Sequence, residues 1–237
     1  MLIFCRKLHN WLGLLLAVQI TLWFLSGLVM AILPIEQVRG EHLRLNISAD
    51  WHHAQVSPAE LLQQHSNEAN LSLSQHLSLQ QQKLMALPVY VVAEQDQLFR
   101  YSAIDGAVLP PLTETQIRQV ALAQYHGTGQ LQSAELLLTL PQEVQQLHPP
   151  LWLVRFDDQD NSRFYLDPAS GAISRVRTDS WRLFDFFWML HIMDYQERSN
   201  FNTPLLIGFS GSALLLGLTG FVLLWQRFRP RKALPRS

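Results

Sequence analysis

From Leu8 to Leu33 the chain reads LHNWLGLLLAVQITLWFLSGLVMAIL, 26 residues without a single Asp, Glu, Lys or Arg. A helix rises about 1.5 Å per residue, so this stretch makes a rod of nearly 40 Å, enough to cross a hydrocarbon core of about 30 Å. Arg6 and Lys7 precede it as they would in a cleaved secretory leader. Leader cores, however, are about 7–15 residues long and end in a small-x-small site, which Met30-Ala31-Ile32-Leu33-Pro34 does not supply. A second charge-free stretch, Thr203 to Trp225, has the same character. Two spans explain why only 16% of the chain is charged, where about 25% is usual for a soluble protein.

Charge orients the spans. Of 18 Lys and Arg, seven lie in the two tails (Arg6, Lys7, Arg227, Arg229, Arg231, Lys232, Arg236), while all 19 Asp and Glu lie between the spans. Basic residues beside span ends favour the cytoplasmic side, so both termini are expected inside and the intervening region outside. The expected organisation is a cytoplasmic tail over 1–7, a span over 8–33, an exported region over 34–180, a short interfacial helix over 181–195, a span over 203–225 and a basic cytoplasmic tail over 226–237. Cys5 is the only cysteine, so the exported region holds no disulfide and stands on its hydrophobic core. No basic patch in that region points to nucleic acid.

The exported region reads as two loosely similar units, about 57–109 and 113–178. Ser57-Pro58-Ala59-Glu60 and Thr113-Glu114-Thr115-Gln116 are helix starts in which a hydroxyl caps the free amides and a carboxyl or carboxamide reaches back. The first helix is expected over 58–66 and the second from 113 to about 125. Leu71, Leu73, Leu77 and Leu79 fall largely on alternate positions and fit a strand. Pro88 to Leu109 reads as a hairpin, and strands are expected at 136–140, 151–156, 162–166 and 172–176, with turns at Asp157 to Asn161 and Asp167 to Gly171. The fold class is therefore a membrane protein with an α+β region of helices and antiparallel sheet.

Phe164-Tyr165-Leu166-Asp167-Pro168-Ala169-Ser170-Gly171-Ala172-Ile173 resembles the signature of PepSY domains. Arg6 to Leu14 resembles the first helix of PepSY-associated transmembrane proteins, and Trp188 to Tyr195, with Phe201-Asn202 and an apolar helix ending in basic residues, resembles their closing part. The resemblance implies a bacterial inner-membrane protein with its central region periplasmic. Longer relatives usually have four spans and two outside domains, and include proteins of ferric-siderophore reduction that carry haem between membrane histidines. This chain has two clear spans.

The resemblance thus implies a component of transmembrane or cell-envelope electron transfer, with haem b as its cofactor, rather than a hydrolase or transferase. The alternative is a membrane-anchored periplasmic interaction or inhibitory module, a role PepSY domains play in protease precursors. His9, inside the first apolar run, is either a candidate haem ligand or a histidine at headgroup level. His191, in WRLFDFFWMLHIMDY (residues 181–195), is the second candidate ligand, with Asp194 three residues on as a carboxylate to support it. An anchoring polar pair is the other reading of those two. Serine elbows, phosphate loops and convincing zinc spacings are absent, so no catalytic residue and no metal-ion site is assigned. His9 and His191 lie toward opposite faces of the bilayer and cannot share one iron, so a homodimer or another histidine-bearing membrane redox subunit is expected as partner, beside the lipid itself.

Overall fold

The computed structural model describes residues 2–95 and 97–229. Met1 of the first tail and Arg231, Lys232 and Arg236 of the second lie outside the described residues. The chain divides into two compact units, Met1–Pro34 with Leu183–Ser237, and Ile35–Arg182.

The first unit is built on α1 (Leu2–Ile32) and α6 (Pro204–Phe228), both long and apolar enough to cross a bilayer, and they pack against each other. Each helix outruns its charge-free stretch: α1 takes in Arg6 and Lys7, and α6 takes in Arg227. Basic side chains are good helix formers and extend their charged ends away from apolar surface, so charge does not end a span where it ends an apolar run. Thr203 caps α6 by accepting from Leu206 N at 3.2 Å, and Pro204 takes the first position.

The second unit opens with the one-turn helix α2 (Ile35–Val38) and contains α3 (Pro58–Leu62), β1 (Asn70–Gln80), β2 (Lys83–Glu94) and β3 (Gln97–Ser102). It continues with α4 (Glu114–Gln124), β4 (Leu131–Leu137), β5 (Leu151–Phe156), β6 (Arg163–Leu166) and β7 (Ile173–Arg177). Strands β1-β2-β3 form one antiparallel sheet and β4-β5-β6-β7 another. Helix α5 (Asp179–Ile192) begins in this unit and ends in the first.

Helix α4 has the capping box read from Thr113 and Gln116, and packs against β1 and β2 as well as β4, β5 and β6. Its buried Ile117, Val120 and Ala121 share one core with Leu77 of the first sheet and Phe164, Leu166 and Val176 of the second. The two halves therefore share a core built on this helix. Helix α3 covers only the first sheet, through Leu61 against Tyr90 and Ala103. In β5 and β6, Trp152 lies opposite Leu166, while Tyr165 turns to the other face against Leu151 and Leu153.

Several elements differ from the sequence reading for identifiable reasons. Helix α3 stops at Leu62 instead of about Ser66, because the chain turns to place His65 between Glu94 Oε2 (2.8 Å) and Tyr101 Oη (3.0 Å) while Ser66 N donates to Glu94 Oε1. Helix α4, by contrast, ends where it was expected, at Gln124, and Tyr125 just beyond it stacks on Phe156 with ring centres 3.9 Å apart. Strand β4 occupies 131–137 instead of 136–140, since Leu131 pairs with Phe156 at its start. Helix α5 runs 179–192 instead of 181–195: Thr178 Oγ1 accepts from Trp181 N at 3.1 Å, and Met193 adopts a positive φ of 54° at the far end.

The Asp167-Pro168-Ala169-Ser170-Gly171 turn ties the second sheet to the first. Asp167 Oδ1 accepts from Ala169 N (3.1 Å), Ser170 N (2.6 Å) and the Ser170 hydroxyl (2.7 Å). Leu77 N then donates to Ser170 O at 2.8 Å, and Gln124 Nε2 to Gly171 O at 3.0 Å. Gly171 has φ +71°, and a Cβ there would stand 3.2 Å from Val120 and 3.3 Å from Leu112. Gly171→Ala should cost about 2 kcal/mol or more from the backbone conformation alone, measured as a lower urea midpoint of the full chain.

Glu143 is the electrostatic centre of the second sheet. Its carboxylate accepts from Arg163 Nη1 and Arg182 Nε, each at 3.1 Å, and from the Tyr165 hydroxyl. Burial pushes the carboxyl up, but the Tyr165 hydroxyl and then Arg182 and Arg163 outweigh it and hold it below its ordinary value. Glu94 is held further down, to about 2, by His65 and Ser66. A carboxylate with a depressed folded pKa stabilises the fold above its unfolded value of about 4.3, and that stability is lost as pH falls through the folded value. The urea midpoint should therefore fall below about pH 4 and go on falling toward pH 2. Glu143→Ala should remove part of this acid response and cost about 2–3 kcal/mol at pH 7, toward the low end for a buried pair because Arg163 and Arg182 reach solvent.

Candidate functional site

The helical unit holds both histidines singled out in the sequence. His9 lies on α1 with Nδ1 3.2 Å from Leu216 O and 3.1 Å from Thr219 Oγ1, both on α6. A carbonyl only accepts, and Thr219 already gives its proton to Leu216 O at 2.9 Å, so Nδ1 of His9 is the donor. The ring lies against Gly220, where a Cβ would stand 3.0 Å from its Cε1. A side chain at that position would displace the imidazole.

His191 is held in the same way by a different partner. Its Nδ1 is 2.9 Å from Ser26 Oγ, and Ser26, fully buried, turns its hydroxyl proton back to Leu22 O at 2.7 Å. With that proton on Leu22 O, Ser26 Oγ is free to accept from His191 Nδ1. Trp23 Nε1 donates to His191 O at 2.9 Å and fixes the end of α5 against α1. Both histidines are thus held through Nδ1, and in neither does Nε2 make a hydrogen bond among the described residues. An imidazole held through one nitrogen with a lone pair on the other is the arrangement a metal-ligating histidine needs.

Beside His191 lies a cavity of about 600 Å³, lined by Trp23, Phe24, Trp188, Ile192, Phe201, Leu206 and Ser210. It is an open groove with aromatic and aliphatic walls and few polar groups. Trp188 is fixed there by Nε1 donating to Arg198 O at 3.1 Å and by an edge contact with Phe201.

Asp194 is not the partner of His191. Met193 turns the chain sharply, and the Asp194 carboxylate accepts instead from the amides of Gln196, Glu197, Ser199 and Asn200 at 2.9–3.2 Å. Those amides, Asn200 first, hold it below the usual carboxylate range. It organises the loop leading to α6, while Ser26 takes the orienting role. Spacing alone could not reveal this, because Ser26 and Thr219 lie 165 and 210 residues from their histidines. The available signal was a Ser and a Thr buried inside apolar spans.

Of the other histidines, His65 uses both ring nitrogens as described, and His76 Nδ1 lies 3.1 Å from Ala169 O. The acidic turn at 157–161 is consumed internally: Asp157 accepts from Gln130 N, and Asp158 from Ser162 N and the Tyr125 hydroxyl. Burial first, then Asp158, pushes that phenol up to about 12. No group of three or more His, Cys, Asp or Glu able to hold a metal ion occurs among the described residues.

Two apolar helices, an α+β body of antiparallel sheets and a turn built on Asp167 and Gly171 define a membrane-anchored PepSY protein. The PepSY-associated TM region family matches residues 6–237, and the chain belongs to that family. No curated protein and no solved structure matches it.

Proposed function

We propose that this protein is an inner-membrane electron-transfer subunit serving iron, and specifically ferric-siderophore, reduction, with His9 and His191 as the ligands of haem b. The observation that carries the reading is the shared geometry of the two histidines, each anchored through Nδ1 with Nε2 left unbonded. The apolar cavity at His191 suits a macrocycle. Haem b, when bound, supplies a one-electron iron couple. The chain supplies the imidazoles, the hydroxyls of Ser26 and Thr219 that hold their Nδ1 atoms, and aromatic walls that exclude water.

Along α1, His9 and the Ser26 that holds His191 are 17 residues apart, or about 26 Å, so the two sites are separate and each offers one imidazole. The second ligand for each would come from a twofold copy or from another membrane redox subunit. Nothing lies within 4 Å of a Cβ built at Gly208, Gly211 or Gly217, which leaves room for such a helix. With both termini cytoplasmic, His9 serves the inner face and His191 the outer. Each half of the outside body, α3 with β1–β3 and α4 with β4–β7, is read as one PepSY-like unit, supported by their common order of helix and antiparallel meander.

Orientation is tested by reporter fusions. A fusion after Ser237 is expected to be active only with a cytoplasmic reporter, and one near Asn161 only with an exported reporter. The reverse pattern would overturn the reading.

A further inference from the structure

Within the Ile35–Arg182 unit, a cavity of about 420 Å³ is lined by four arginines, Arg39, Arg44, Arg175 and Arg177, with Ser174 and Trp181. Its lining holds one acid, Glu41, 3.9 Å from Arg39. Four guanidiniums against one carboxylate leave a strong positive excess in a concave space, where low-dielectric walls focus the field.

The arginines converge because the backbone brings two segments together. Gly40 has φ +67°, and a Cβ there would stand 2.5 Å from Val176 Cγ1, so only glycine lets this segment lie flat against β7. Arg39 and Arg44 then face Arg175 and Arg177. Arg177 is held in place, with Nε donating to Glu143 O at 2.8 Å and its guanidinium stacked 4.0 Å over the Trp181 ring. The Nε of Arg44 is buried and has no hydrogen-bond partner, which marks a missing acceptor.

We propose that this cavity binds a phosphate group, either the headgroup of an anionic lipid or free phosphate. Guanidinium forks match phosphate oxygens in pairs, and a phosphate accepts from several directions at once, as donors arriving from two segments require. Arg39 follows Ile32, the last residue of α1, by only seven positions, so a chain span of at most about 25 Å separates it from the end of a membrane span. This site is independent of the histidines and of the redox reading.

The test uses the full chain, delipidated in a non-ionic detergent, titrated calorimetrically with dihexanoyl phosphatidylglycerol, dihexanoyl phosphatidylcholine and inorganic phosphate. Arg39 and Arg175 are exposed, so Arg39→Gln/Arg175→Gln should leave the unliganded melting temperature unchanged. It should weaken phosphatidylglycerol binding at least about tenfold. Arg39→Lys/Arg175→Lys, which keeps the charge and loses the fork, should fall between. Competition by inorganic phosphate identifies a site for the free ion, and phosphatidylglycerol binding without such competition identifies the lipid headgroup. Phosphatidylglycerol binding no tighter than phosphatidylcholine with no response to phosphate, or equal affinities in the wild type and the Gln variant, overturns the proposal.

Discussion

On the proposed reading, His191→Ala and His9→Ala should each lower the haem content of protein purified from haem-supplied cells by about half, and the double variant should carry none. This follows from the separation of the two sites along α1 and from each contributing a single imidazole. The integrated Soret absorbance per chain measures it. Ser26→Ala is a more searching companion: it keeps the His191 ring and removes only the oxygen hydrogen-bonded to Nδ1. Loss of such a support typically costs 10–100-fold in affinity, so haem should still bind at saturating concentration with a shifted reduction potential. A protein without a Soret band, or with a band unchanged in both histidine variants, would replace this reading with that of a periplasmic interaction module.

Phe164→Ala should destabilise the α+β body by about 3–5 kcal/mol, the range for deleting a fully enclosed aromatic ring. Phe164 has no exposed surface and lies edge-on to Phe156 at 5.0 Å and to Tyr125 at 5.7 Å, in the core shared with α4. The surrounding sheet is paired on both sides of β6, so the void cannot close by a strand shift. A loss near 4 kcal/mol lowers the melting temperature by about 10 °C for a body of this size. Leu138→Ala, at a side chain 74% exposed, serves as the control and should change stability by less than about 0.5 kcal/mol.

The features legible in the sequence are those whose cause is local. The spans show as charge-free runs, α4 shows through the Thr113 and Gln116 box, and the β5–β6–β7 meander shows through β-formers separated by Asp- and Gly-bearing turns. Strand β1 was half legible, as alternating leucines in a Gln- and Ser-rich stretch. Its partner β2 starts five residues before Pro88 because a two-residue turn places both Gln81 and Gln82 at positive φ, which those residue types do not announce. The early end of α3 depends on Glu94, about 30 positions away, and the true partner of His191 is on another helix. Asp194 had the right spacing for His191 and lost it to a left-handed residue between them. At the candidate site the histidines themselves were readable, while the groups that hold their Nδ1 atoms were not, since helix pairing decides those contacts.

Helix α4 touches both sheets, and this bears on how the α+β body comes apart. Neither sheet keeps its apolar face fully covered once that helix leaves, so the halves should have no separate melting points. Heat or urea should produce one transition for the body, with tryptophan emission and far-ultraviolet ellipticity tracing the same curve. The arrangement also limits what deletion can achieve. A chain cut between Ser102 and Thr113 strands the first sheet without the Ile117, Val120 and Ala121 side that covers Leu77, so a resemblance between the halves does not make either one a portable module.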